Sequence, residues 1–311
     1  MTKLSRLNDA RAQFDALTAA HFPLFLRRVV ATSAPGASYL HNWHIEAISE
    51  YLKACETGQV RRLIINLPPR MLKSTLVSVA WPAWLLGQEP QRRIMAASYA
   101  QSLAEKHSTD CRVVLRADWY ARVFAGMQLS DDQDTKTKFT TTARGYRLAV
   151  SVGGAAIGEG GDFLIVDDPI SPLQARKRVA REAANAWFDH TFATRLDDKQ
   201  RGVMVVVMQR LHPEDLSGYL LAKGGWEHLC LPAIAPERTV IRVGAWAHGR
   251  EAGTALHPAR EPLALLEKTQ AEMGSHNFAA QYQQAPVKAG GPVIRPEWFS
   301  RFALKELLTE V

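Results

Sequence analysis

Three short segments carry the residue types and spacings from which chemistry could be built. The first is Leu67-Pro68-Pro69-Arg70-Met71-Leu72-Lys73-Ser74-Thr75, lying between an apolar run and a helical pattern. An anion placed there would meet free backbone N–H groups at the positive end of a helix dipole. Lys73 would neutralise the outer phosphates of a nucleoside triphosphate, and the Ser74 hydroxyl would ligate magnesium. The glycine-framed form of this loop needs glycine at Leu67 and Leu72, and neither is present. The same residues also suit a proline-rich turn entering a helix capped near Ser74, so on this segment alone both readings stand.

The second segment, Asp162-Phe163-Leu164-Ile165-Val166-Asp167-Asp168-Pro169, is an apolar run ending in paired carboxylates. Magnesium beside a triphosphate needs an anionic oxygen, which Asp167 could supply. The attacking water needs a base or orienting group, which Asp168 could supply one residue further on. A turn that caps the following helix is the competing reading of Asp-Asp-Pro. The third segment is Met208-Gln209-Arg210-Leu211-His212, where Gln209 could hydrogen-bond a terminal phosphate or its water and report its loss. For Arg210 a structural ion pair is the simpler role, and for His212 a loop or capping role. The lysine loop and the diacid gain weight together, because each follows a separate apolar run, at the end where α/β sheets place ligands.

Those runs, at 63–67, 93–97, 163–166 and 203–208, are continuously apolar. That is the pattern of strands covered by helices on both faces. Helices are predicted at 74–86, 101–116 and 173–196, with a hairpin over 138–152. The first thirty residues and 43–54 are amphipathic helices on spacing. The fold class that follows is α/β, a mainly parallel sheet sandwiched by helices. After Cys230 the pattern loosens into Pro-, Gly- and Arg-rich sequence with one helix near 262–273. The expected division is therefore 1–230 as the main domain and 231–311 as a small subdomain or linker.

Composition narrows the partners. With 38 Lys+Arg against 31 Asp+Glu the net charge is +7, which favours polyanions. Cys55, Cys111 and Cys230 are too scattered for a disulfide framework or a zinc site. The apolar stretch 77–86 is too short to span a bilayer, and Arg27 and Arg28 interrupt the N-terminal apolar run. An intracellular protein without a membrane span is expected.

In order along the chain, these residues resemble the ATPase domain of the large terminase subunit of tailed phages and prophages. The resemblance runs from about Trp43 to Gln284. It takes in Trp43-His44, the Leu67-to-Ser74 loop, Ser98-Tyr99, Gly153-Gly154 with Gly158 and Gly160, the diacid strand, Thr194-Arg195-Leu196, Gln209-Arg210 and Gln281-Tyr282-Gln283-Gln284-Ala285-Pro286. It implies a P-loop ATPase of RecA-like, additional-strand type that uses ATP and Mg2+. Pro69, Arg70, Met71, Leu72, Lys73, Ser74 and Thr75 then form the phosphate loop, with Arg70 on the γ phosphate. Asp167 with Ser74 serves the metal, Asp168 is the catalytic acid and Gln209 the coupling residue. Trp43 and His44 fall at the adenine-side motif, although an aromatic core contact explains either residue equally.

The implied partners are double-stranded DNA, a portal or procapsid, a small terminase subunit and further copies of the chain in a ring, in the cytoplasm of a bacterial host. The sequence departs from the family at Leu72, at Asp168 (a glutamate elsewhere) and at Glu159 (often an arginine). Arg195 and Arg210 are then the candidates for an arginine donated in trans, and Arg176, Lys177, Arg178 and Arg181 the candidates for a DNA grip. The family continues into a nuclease domain beyond a connection like Gly290-Gly291-Pro292; the expectation is a truncated chain or split gene without nuclease activity. Two rival functions share these motifs: another helicase-like translocase, and a non-hydrolysing module that binds DNA or the portal.

Overall fold

The computed structural model describes residues 3–154 and 158–287. Its elements run α1 (Lys3–Ala20), α2 (Phe22–Ser33), α3 (Trp43–Glu56) and β1 (Arg62–Asn66). A π-wound segment, Thr75–Ala80, continues directly into α4 (Trp81–Gln88), followed by β2 (Arg93–Ser98), α5 (Gln101–Leu115) and α6 (Asp118–Val123). Then come β3 (Leu129–Asp134), β4 (Lys138–Thr141), β5 (Tyr146–Ser151), β6 (Phe163–Asp167), α7 (Pro172–Ala175) and α8 (Arg178–Trp187). The remainder is β7 (Val203–Met208), α9 (Leu216–Lys223), β8 (Glu227–Cys230), β9 (Thr239–Val243), β10 (Trp246–Arg250), α10 (Leu263–Met273) and α11 (Ser275–Gln281).

An 8-stranded sheet has the order β3-β4-β5-β2-β6-β7-β1-β8. From β5 to β8 all neighbours are parallel, whereas β3, β4 and β5 pair antiparallel. The apolar runs are continuous because alternate residues of each central strand enter different cores. Leu63, Ile65, Ile94, Phe163, Ile165, Val203, Val205 and Val207 pack with α2 to α5 on one face. Ile64, Met95, Leu164, Val166, Met204, Val206 and Met208 pack beneath α8 and α9 on the other. The strand before the lysine loop and the strand before the diacid are not neighbours; β7 lies between them. This insertion is the additional-strand arrangement, and it brings three strand ends together at one edge.

Several elements differ from expectation. The segment 173–196 is not one helix. Ser171 closes a capping box on the short α7, Lys177 is extended, and after α8 the chain passes through a π turn and a 3-10 turn. Strand β3 has the sequence Leu-Ser-Asp-Asp-Gln-Asp, whose acidic residues suit an exposed sheet edge rather than a core. Strand β8 extends the sheet beyond β1, and β9 and β10 form a separate hairpin against α3. Beyond Cys230 the tail is more ordered than its composition implies, with Ala233, Ala255, Leu266 and Phe278 making a small core of their own. The expected connection at Gly290-Gly291-Pro292 lies outside the described residues.

Candidate active site

The loop after β1 is anchored from below. Leu67 and Met71 are buried in the core, while Arg70 between them is exposed. This up-and-down path is possible because Arg70 and Leu72 both adopt left-handed backbone, with φ of 65° and 62°. Asp168 does the same at 47°. Left-handed backbone costs a residue with a Cβ about 1–2 kcal/mol, and such strain persists only where surrounding structure enforces it. Leucine at position 72 therefore does not prevent the turn that glycine makes elsewhere. The side chain packs against the core and offsets part of the cost. Leu72→Val, which is β-branched and still less tolerant of positive φ, is expected to destabilise the loop by about 1–3 kcal/mol. Thermal denaturation and nucleotide affinity would both register it, whereas Leu72→Gly should keep the loop.

The helix that begins at Lys73 leaves its first N–H groups without intrahelical partners, aimed out of the strand ends. Asp168 faces them. Its backbone is pinned by two contacts, Tyr99 N–H donating to its carbonyl at 3.0 Å and its own N–H donating to the Val207 carbonyl at 3.0 Å. Lys73 Nζ lies 2.5 Å from Asp168 Oδ2. Ser74 Oγ donates to Asp167 Oδ1 at 3.1 Å, and Ser78 Oγ donates to Asp167 Oδ2 at 2.7 Å. Residues remote along the chain thus meet at one point. Ser78 was not picked out from the sequence, although it lies one helical turn beyond Ser74 and so shares its face. His107 of α5 was also missed; its Nδ1 is 3.6 Å from Asp167 Oδ2, too long for a hydrogen bond.

Burial dominates the electrostatics of the two acids at this point. Burial would lower the pKa of Lys73, but the carboxylates of Asp168 and Asp167 outweigh it and hold the ammonium above its ordinary value. Burial lifts both aspartates above the ordinary carboxylate range, against the pull of Lys73. Burial outweighs the pull of Lys73 on both carboxylates and the weaker pull of Arg147 on Asp167, so this pair accepts a proton more readily than exposed aspartates do. That property suits a proton acceptor working near neutrality. An oxygen-rich corner of Ser74 and Asp167, next to unpartnered N–H groups, also matches the donor set that Mg2+ prefers.

Three histidines around the sheet are neutral in the fold. Burial, with His257 nearby, depresses His44 to about 3. Burial with Arg147 depresses His107 to about 4, and burial with Arg210 depresses His228 to about 4. The unfolded chain takes up these protons below 6.5, so the histidine contribution to stability is complete above that value and is lost as pH falls toward about 4. Each removes up to about 1.4 kcal/mol per pH unit in that window. The raised aspartates act in the opposite sense, favouring the fold at low pH and losing that contribution as pH rises through their folded values. Over the range in which the histidines titrate, from 6.5 to about 4, the urea midpoint should fall on acidification, and His107→Gln should flatten the fall.

After β7 the Gln209 side chain is half-buried, and its backbone N–H points to the Asp168 carboxylate. Arg210 is buried and locked by Nε on both oxygens of Asp215, at 3.0 and 3.1 Å. It is therefore not free to reach a neighbouring copy, and the ion-pair reading of its sequence was the right one. The Arg210 N–H donates to Gln284 Oε1 at 2.9 Å, and Gln283 exchanges hydrogen bonds with the Ile234 backbone. The glutamine-rich stretch thus ties the tail to the end of β7. Arg195 holds the Thr191 carbonyl, and its own carbonyl accepts from Gly161 N–H, which precedes β6 and so lies at the end of the sheet opposite the lysine loop. Glu159 pairs with Lys138 of β4.

Trp43 stacks on His248 of β10 with ring centroids 4.2 Å apart, so one of its faces is already covered. This supports the core-contact reading of Trp43. His44 is buried against His257, holds Asn42 at 2.6 Å and lies beside the backbone of Met71 in the lysine loop.

No family model and no curated protein matches this sequence. Solved structures do. The ATPase domain of the large terminase of Thermus phage P74-26, in an arginine-to-alanine mutant, matches with a TM-score of 0.53 at 13% identity, over 81% of this chain and 96% of that domain. The chain has the fold of a large-terminase ATPase domain. The large terminase of a second thermophilic bacteriophage matches with a TM-score of 0.50 at 12% identity, covering 82% of this chain and 55% of that protein. The chain therefore spans about half the length of this second large terminase. At such identities the likeness to terminase ATPase domains concerns the fold, and side-chain roles rest on the geometry above.

Proposed function

We propose that this chain is the ATP-hydrolysing motor domain of a large terminase subunit, which drives double-stranded DNA into a procapsid. The observation that carries the reading is the meeting of Lys73 and Ser74 with Asp168 and Asp167 across the ends of two strands that β7 separates. ATP lies along the loop, with Pro69 to Thr75 around its phosphates and Lys73 turned from Asp168 to the β and γ oxygens. Exposed Arg70 reaches the γ phosphate. Ser74 and Asp167 would hold Mg2+, which when bound supplies Lewis-acid stabilisation of the charge on the phosphates. Asp168, released from Lys73, orients water for in-line attack and takes its proton. Gln209, next to Asp168 and joined through Arg210 to Gln284, passes the change to the tail.

The unit 1–230 acts as the motor in this reading, and 231–311 as the subdomain that moves with it. Partners are DNA, a portal-bearing procapsid, a small terminase subunit and further copies in a ring, in the cytoplasm of the host. Among the described residues no helix is long and apolar enough to cross a membrane. Of the basic residues considered for DNA, Arg181 is buried and bonded to the Ala175 carbonyl and Glu214, and Arg178 pairs with Glu182. Arg176 and Lys177 remain exposed at the turn into α8. Neutralising both should flatten the salt dependence of DNA binding by about one log-log unit per lost phosphate contact. An unchanged slope would remove them from the DNA surface.

Steady-state ATP hydrolysis by the chain, alone and with double-stranded DNA, tests the proposal. Slow turnover is expected, because an arginine donated by a neighbour can be worth about 10³ to 10⁵ in rate. Turnover no greater than background in both conditions would favour a non-hydrolysing assembly module, and duplex unwinding without portal or procapsid would favour a helicase.

A further inference from the structure

A buried positive charge behind Asp167 has no part in the reaction as proposed. Arg147 of β5 is 0% exposed. Its partner across the ladder is Ile94 of β2, which in turn pairs with Phe163 of β6. Neighbours in register share a face, so Arg147 lies on the same side of the sheet as Asp167, four residues beyond Phe163 on β6. Its Nη2 donates to the carbonyl of Ser78 at 3.1 Å. Its Nε and Nη1 have no hydrogen-bond partner, and no carboxylate forms an ion pair with it among the described residues.

Enclosing a guanidinium in this way is unfavourable unless something nearby uses its charge. The connected acid is Asp167, since Ser78 takes Arg147 at its carbonyl and gives its hydroxyl to Asp167 Oδ2. The carbonyl is open to this contact because the residue four positions on is Pro82, which has no N–H to give it; the segment Thr75–Ala80 around it is π-wound, with Trp81 N–H bonding Leu76 rather than Val77. Such wide turns cluster at functional sites. Lys73 cannot serve Asp167 throughout a cycle, because it is also the group that must turn to the phosphates. Arg147 is walled in and cannot leave.

We infer that Arg147 is a positioning residue, a fixed buried cation that acts through Ser78 to hold Asp167 aimed at the metal position while Lys73 engages phosphate. The inference rests on the proposed nucleotide site. It is tested by the binding of a fluorescent ATP analogue to the full chain, measured in Mg2+ and again in EDTA, for wild type, Arg147→Met, Arg147→Lys and Ser78→Ala. Wild type should bind more tightly with Mg2+. Arg147→Met and Ser78→Ala should lose about tenfold of that Mg2+-dependent gain and keep their affinity in EDTA, and Arg147→Lys should recover part of the loss. Should Arg147→Met fail to fold, Ser78→Ala, which removes only a hydroxyl, decides. An unchanged Mg2+ gain in Ser78→Ala and in the folded Arg147 variants overturns the inference, and so does equal weakening with and without Mg2+. A wild-type chain that binds no nucleotide in either condition overturns the function itself.

Discussion

Asp168→Asn should lower ATP turnover by about 10² to 10⁴-fold, the range expected when a positioned proton acceptor is removed, without weakening Mg·ATP binding. The two effects separate because of the resting contact. In the structure Asp168 holds Lys73 at 2.5 Å, so the carboxylate competes with ATP for the lysine. Asparagine keeps the shape and the Gln209 N–H contact but gives up the competing charge. Affinity should therefore hold steady or rise while turnover collapses. Isothermal titration with a slowly hydrolysed ATP analogue, beside steady-state rates, measures both. Equal losses in affinity and rate would mean that Asp168 supports the shape of the site and takes no part in the reaction.

Lys73→Ala should fail in both respects. Charge-assisted hydrogen bonds are worth about 1.5–3 kcal/mol each, so losing one to the phosphates weakens ATP binding by about 10- to 150-fold. Turnover should fall to background. A second signature comes from the acids left behind. Without the ammonium, Asp167 and Asp168 stay protonated to higher pH, and forcing them to ionise is what costs stability. The gap between Lys73→Ala and wild type should widen as pH rises, reaching about 3 kcal/mol or less at mildly alkaline pH, and should narrow in acid. Urea denaturation at several pH values tests this. A gap independent of pH would mean that the lysine contributes only packing through its aliphatic stem.

How much could be read beforehand followed from burial on two faces. The central strands were legible because every residue of a run such as Val203–Met208 is buried, leaving no alternation to mistake. The lysine loop and diacid were legible as strand-end groups, although the φ values that make the loop work at Arg70 and Leu72 leave no mark in those residue types. Strand β9, alternately exposed and half-buried, carries too little apolar contrast to stand out from a loop, and β3 is too acidic to look like a strand. Arg147 was invisible for a further reason. In the run Tyr146-Arg147-Leu148 an arginine reads as the outward-facing member of a hairpin, whereas position 147 shares the face of Phe139 and Ile94, which the helical layer carrying Ser78 covers. Arg210 and Arg181 illustrate the reverse case, since a basic residue near a strand end or on a helix can be spent on an internal ion pair.

Diffraction from crystals grown with a non-hydrolysable ATP analogue and Mn2+ gives the most direct view of the convergence at the strand ends. The expected anomalous peak lies beside Ser74 Oγ and within one water of Asp167, with Lys73 Nζ moved from Asp168 to the phosphates. A nucleotide bound away from the 69–75 loop, or a metal peak that neither Ser74 nor Asp167 approaches, would contradict the assignment of this site.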